Sequence, residues 1–135
     1  MRALAPLLLA AAAASCAPAP PPGYYDMRSQ QELQRLLAGK SAAAPISCLP
    51  SYNSNDMQII DGRNVAFRLG SRPVYMMRLS PGCELLGRGS YALLTHQFGS
   101  LGMCQGDIAR VVDTTLHTTV GSCGIEQIVP YSTPR

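Results

Sequence analysis

Hydrophobic and polar residues follow three rhythms along this chain. Ala3 to Ala14 form an uncharged run with Leu4, Leu7, Leu8 and Leu9 inside it. Further on, Leu33, Leu36 and Leu37 recur at helical spacing behind Ser29-Gln30-Gln31-Glu32, a match to a capping box in which the Ser hydroxyl and the Glu carboxylate each satisfy a free backbone N–H. Gly39 stands where such a helix would stop. The pattern predicts a short helix over 29–38, too short to persist alone in water, and then a linker, Ser41-Ala42-Ala43-Ala44-Pro45.

From Ile46 onward the rhythm is alternation. Met57 and Ile59 lead into an Asp61-Gly62 turn, and Val65, Phe67 and Leu69 alternate with Ala66 and Arg68. From Val74 to Leu79, Tyr75, Met77 and Leu79 take one face, with Val74, Met76 and Arg78 on the other. Gly70-Ser71-Arg72-Pro73 and Ser80-Pro81-Gly82 are breaks. The run from Tyr91 to Phe98 reads as a strand buried on both faces, ended by Gly99-Ser100-Leu101-Gly102. Two further strands are expected, from Ile108 to Asp113 and from Val120 to Val129. The fold class is therefore all-β: a small antiparallel sheet, sandwich or partly open barrel of about five or six strands, with a short N-terminal helix. Short turns after Asp61 and Gly70 make the first three strands antiparallel neighbours.

Composition narrows the function classes. At 135 residues the chain is one domain long. Its net charge of +3, from 11 basic and 8 acidic residues, is too mild to indicate nucleic acid as a partner. With no Trp and 2 Phe, an aromatic binding platform would have to rest on the 6 Tyr.

The N-terminus has the layout of a secretory signal: Arg2, a short apolar core, then small residues. The core is too short for a transmembrane helix, which needs roughly 20 apolar residues, and no later segment is apolar enough. Ala13-Ala14-Ser15-Cys16 resembles a bacterial lipobox, with Ala13 at the position usually held by a larger aliphatic residue. Cys16 is thus the expected lipidated (palmitate-bearing) first residue, and Ala17-Pro18-Ala19-Pro20-Pro21-Pro22-Gly23 suits an extended tether from a membrane surface. Several acyl chains would make that anchor durable. Ala17, in place of the aspartate of inner-membrane retention, leans towards the outer membrane. The expected organisation is a lipoprotein signal peptide over 1–15, the anchor cysteine, tether and short helix over 16–45, and a β-domain over 46–135.

The remaining cysteines, Cys48, Cys83, Cys104 and Cys123, are widely spread and form no C-x-x-C pair, which argues against zinc knuckles and thioredoxin-type motifs. In an exported domain with a thin core, two disulfides are the default. Four cysteines permit three connectivities, and spacing does not choose. A nested arrangement, Cys83 with Cys104 and Cys48 with Cys123, is attractive because the inner pair would flank the Tyr91 strand and the outer pair would fasten the domain's two ends.

The order of these cysteines carries a resemblance. A D-G turn and Asn64-Val65-Ala66-Phe67-Arg68-Leu69-Gly70 follow the first cysteine. The others stand in Leu79-Ser80-Pro81-Gly82-Cys83, Cys104-Gln105-Gly106-Asp107-Ile108 and Gly121-Ser122-Cys123-Gly124-Ile125. From Ile46 to Tyr131 this is similar to a family of small, exported, often lipidated bacterial proteins with a four-cysteine β-domain of unknown function. The resemblance implies secretion and the β-domain, and it brings no catalytic residues.

Candidate chemistry is sparse. His96 and His117 are the only histidines, at no metal-ligand spacing. Ser-His-Asp sets can be written from Ser100 or Ser122 with Asp107 or Asp113, but no G-x-S-x-G elbow holds one. Neither Glu84 nor Asp107 is singled out for paired-carboxylate chemistry. Gly87-Arg88-Gly89 is too short for a phosphate loop and reads as a turn, and Gly106-Asp107 reads as a turn whose Asp bonds local N–H groups. Arg63, Arg68, Arg72, Arg78 and Arg88 give the middle of the domain a basic tilt, with Arg68 and Arg78 able to share a face. The expected function is a non-enzymatic binding or structural lipoprotein of the cell envelope, with no cofactor, metal or nucleic acid. Its partners would be the membrane and an envelope protein or polymer. The alternative is an exported enzyme inhibitor presenting a protruding loop, Leu85–Ser90 or Gly99–Gly102.

Overall fold

The computed structural model describes residues 24–50, 56–70, 73–96 and 102–134. The segment expected to be a signal, Cys16 and the proline-rich stretch expected to be a tether lie outside the described residues. One helix, α1 (Tyr24–Leu37), precedes seven strands: β1 (Ser41–Ala42), β2 (Met57–Ile59), β3 (Asn64–Arg68), β4 (Val74–Leu79), β5 (Tyr91–Thr95), β6 (Ile108–Asp113) and β7 (Thr118–Ser132). They make one antiparallel sheet in the order β2-β3-β4-β7-β6-β5, with β1 against the far end of β7. The sheet curls into a half-barrel.

The first three long-expected strands are antiparallel neighbours, with Val65 opposite Met77 and Ile59 opposite Val65. Order then departs from sequence. β7 inserts between β4 and β6, pairing over its second half with β4 and over its first half with β6. Register shifts at Arg78/Leu79 and Val111/Val112 accommodate this, because a bulge lets a strand bend as it changes neighbours.

Alternation sorts the side chains. Val65, Phe67, Tyr75, Met77, Leu79, Ala109, Val111, Cys123, Ile125 and Ile128 fill the inner face, with Leu49, Cys83, Leu86 and Met103 contributed by loops. The opposite face of β3 and β4 carries Ala66, Val74 and Met76, and Leu36 of α1 packs there with Ile60, flanked by Leu33, Leu37 and Tyr131. This second cluster answers the helix's marginal intrinsic stability: burying a Leu side chain stabilises by about 1.5–3 kcal/mol.

Several expectations are corrected. The helix begins at Tyr24 rather than Ser29. Nothing in Tyr24-Tyr25-Asp26-Met27-Arg28 breaks a helix, and Asp26 in the first turn complements its dipole. Ser29 is therefore no cap. It is buried inside the helix and its Oγ donates to Ile60 O at 3.1 Å. The linker expected at 41–45 contains β1, and Ala43 N–H donates to Pro130 O at 2.8 Å. The Tyr91 strand is half-buried rather than covered on both faces, since no layer covers its outer side among the described residues, and it ends at Thr95. The last strand is longer than expected.

Both disulfides form, but crossed rather than nested: Cys48–Cys104 and Cys83–Cys123. The position of β7 is the reason. With Leu79 opposite Ile125, the chain leaving β4 runs beside β7, and Cys83 meets Cys123. Cys48 and Cys104 lie opposite each other in an antiparallel bridge, beside a Leu49 N–H to Met103 O bond of 2.7 Å. At the first seam the backbones touch: a Cβ on Gly82 would run into the Ser122 carbonyl, and one on Gly121 into that of Gly82.

Candidate binding groove

A groove of about 660 Å³ opens where α1 crosses the end of the β2–β3 hairpin. Asp26, Arg28, Ser29 and Glu32 line it from the helix, Gln58, Asp61, Gly62, Arg63 and Asn64 from the hairpin, and Glu84, Leu86, Gly87 and Arg88 from the loop after Cys83. Its walls are drawn together by close backbone approach. A Cβ on Gly62 would lie 2.7 Å from Glu84 Cα, so only glycine lets the hairpin turn and the loop meet there.

Three carboxylates of this lining, Asp61, Glu32 and Glu84, are engaged. Asp61 Oδ1 accepts from the N–H groups of Arg63 and Asn64, both at 2.7 Å, and from Asn64 Nδ2 at 3.0 Å. That is the Asx-type turn expected of Asp-Gly. Glu32 accepts from Gln58 Nε2 at 2.6 Å, tying α1 to β2, and pairs with Arg35 at 3.4 Å. Glu84 accepts from Gly82 N–H at 2.8 Å. That bond, then the Glu84 N–H and more weakly the Arg63 guanidinium, hold its carboxyl below the usual glutamate range. Arg63 donates through Nε to Leu79 O at 2.6 Å and reaches Glu126 at 3.5 Å. The lining thus has both signs of charge and no histidine, Ile59, Ile60 and Leu86 are its apolar part, and its hydroxyl, Ser29, is buried. Such a lining offers hydrogen-bonding groups and charges of both signs.

The residues weighed for catalysis lie elsewhere. His96 is exposed just past β5. His117 takes φ 55° in the four-residue β6–β7 loop, with its N–H donating to Asp113 O at 2.8 Å. Asp113 Oδ1 accepts from Thr115 and Leu116 N–H at 2.8 and 3.0 Å. Asp107 Oδ2 accepts from Cys104 N–H at 2.8 Å, and Ser122 Oγ donates to Ala109 O at 3.3 Å. These bonds fit turn-forming roles for both aspartates. Ser100 lies outside the described residues. Arg68 and Arg78 do share the outer face, but at opposite ends of the β3–β4 ladder, with the Ala66–Met76 pair between them. Among the described residues no group of three His, Cys, Asp or Glu side chains is placed to hold a metal ion, and no helix is long and apolar enough to cross a membrane.

The Asp61, Arg63, Glu84 and Arg88 grouping was not legible in the sequence. It depends on the loop after Cys83 meeting the hairpin turn at Gly62, and no local spacing encodes that. Comparison with family models, with curated proteins and with solved structures finds no match.

Proposed function

We propose that this protein is a non-enzymatic binding or structural lipoprotein of the bacterial cell envelope, anchored through Cys16 at the periplasmic face of a membrane, the outer membrane by preference. The observation that supports it most is the cysteine balance. Two disulfides use four of the 5 cysteines, and the one left over is the cysteine of the lipobox-like sequence. The groove beside α1 is the surface offered to an envelope protein or polymer.

Metabolic labelling of the full chain with a palmitate analogue tests the anchor. Cys16→Ser abolishes the label and releases the protein from membranes, and a label that persists in this variant rejects the assignment. Cross-linking from Arg28 in intact envelopes tests the groove as the contact surface.

The inhibitor reading is favoured by one feature. Leu85 is 37% exposed in the loop that the buried Cys83–Cys123 bridge fixes at its start. It predicts saturable, stoichiometric inhibition of an envelope or competitor hydrolase that Leu85→Asp removes.

A further inference from the structure

β5 closes one end of the sheet, and among the described residues no strand pairs with its second edge. Thr114 N–H donates to Ser90 O at 2.9 Å, which fixes the direction of the backbone groups along the strand. Ser90, Ala92 and Leu94 turn theirs towards β6. By the alternation of an antiparallel ladder, Tyr91, Leu93 and Thr95 turn both N–H and C=O to the open edge. Sheets blunt such edges with lysine, proline, bulges or a covering segment. Here Ser90 to Phe98 contains no Lys, Arg, Asp, Glu or Pro, and the β5–β6 register is unbroken. The outer face beside the edge exposes large apolar side chains, Leu94 at 51% and Ile108 at 48%, with Arg110 exposed opposite Leu94.

The chain has little left with which to cover this edge. Outside the described residues, 1–23 is the leader and a proline-rich stretch poor in N–H donors, 51–55 reads Ser-Tyr-Asn-Ser-Asn, and 97–101 follows directly on β5. An occupant from another molecule fits this edge, and β5 is complementary to itself. Two copies aligned antiparallel about Leu93 place Leu93 against Leu93 and Tyr91 against Thr95. In that register every outward backbone group meets an outward partner, and a shift by one residue would set outward groups against inward ones. On the outer face Ala92 then meets Leu94 of the other copy, small against large, and no like charges oppose each other along the strand. The geometry points to a second copy of this chain as the occupant, paired β5 to β5 so that two half-barrels share one continuous sheet.

The test uses the full chain extracted from membranes in detergent. Native mass spectrometry reports a dimer, and amide exchange is slow along the whole of β5. Leu94→Lys sets two lysines diagonally across the junction and gives a monomer with a melting temperature near that of the wild type. In that variant Tyr91, Leu93 and Thr95 exchange fast while Ala92 and Leu94 stay slow. Thr95→Pro, which removes an edge-facing N–H without touching the β6 ladder, gives the same result from a second position. Ile108→Lys, on the same face but one strand inward, leaves the dimer intact. A monomeric wild type, an alternating fast–slow exchange pattern in the wild type, or a dimer lost with Ile108→Lys and kept with Leu94→Lys overturns the proposal.

Discussion

The two halves of the curled sheet share an inner core but differ outside. On β3 and β4 the centre of the outer face is Ala66, Val74 and Met76, which α1 covers, with Arg68 and Arg78 exposed at the two ends. On β5 and β6 they include Leu94, Ile108 and Arg110, all exposed, and no layer covers them among the described residues. One half carries a helix on its outer face and the other carries none among the described residues. The helix docks where the centre of the outer face is apolar. On the covered half the arginines stand at the ends of the ladder and leave an apolar centre, whereas on the bare half Arg110 stands beside Leu94 and between Ile108 and Val112.

The largest effects are expected where the halves are joined. The Cys83–Cys123 bridge spans 40 residues and Cys48–Cys104 spans 56, so loop closure assigns each a similar contribution, about 4 kcal/mol. Replacing either pair by alanine lowers the unfolding free energy by about that much in chemical denaturation. The bridges separate by burial instead. Cys83 and Cys123 are 1% and 5% exposed, while Cys48 and Cys104 are half-buried. Graded reduction with peptide mapping therefore opens Cys48–Cys104 first. Simultaneous opening would mean that the seam between the halves is no better protected than the rim.

A second pair of substitutions addresses the outer faces directly. Leu36→Ala, beneath α1, costs about 2–5 kcal/mol as a buried large-to-small change. Ile108→Ala, on the bare half and away from the β5 edge, stays within about 0.5 kcal/mol, as exposed substitutions do. Equal losses at the two positions, read from denaturation midpoints at constant m-value, would erase the distinction between the halves. Ser29→Ala sharpens it on a smaller scale. The hydroxyl bonded to Ile60 O fixes the rotation of α1 on the hairpin, and its loss costs about 1 kcal/mol.

Much of this half-barrel was legible in the sequence, for a physical reason. The expected strands from Val65, Val74 and Ile108 lie where local alternation and strong turn residues agree, and all three form there. What local pattern missed depends on contacts distant in sequence. The insertion of β7 between β4 and β6 follows from no turn signal, and it alone reverses the disulfide pairing from nested to crossed. Ser29 carried a true capping motif by spacing, yet five helical residues before it turned the same hydroxyl into a buried contact with the hairpin. Of the groove, only the Asp61-Gly62 turn was visible, because an Asx turn is local and the helix that completes the cleft is not.

The smallest expected effect lies at the groove, on the boundary of the covered half. The Glu84 carboxylate accepts the Gly82 N–H where the chain leaves β4 for the seam. Its pKa is lowered in the folded protein, first by that bond, then by its own N–H. In the unfolded chain these bonds are absent, so the ionised form is favoured by folding. The contribution is therefore present above the ordinary glutamate pKa and is lost as pH falls through the lower folded value. Glu84→Gln cannot supply the charged acceptor, so wild type and variant differ slightly in melting temperature at neutral pH and converge on acidification. The side chain is exposed, which keeps the difference small. A gap that widens as pH falls would show that Glu84 is instead held against a repulsive neighbour, and would remove the Gly82 contact from the set that fixes the loop to the covered half.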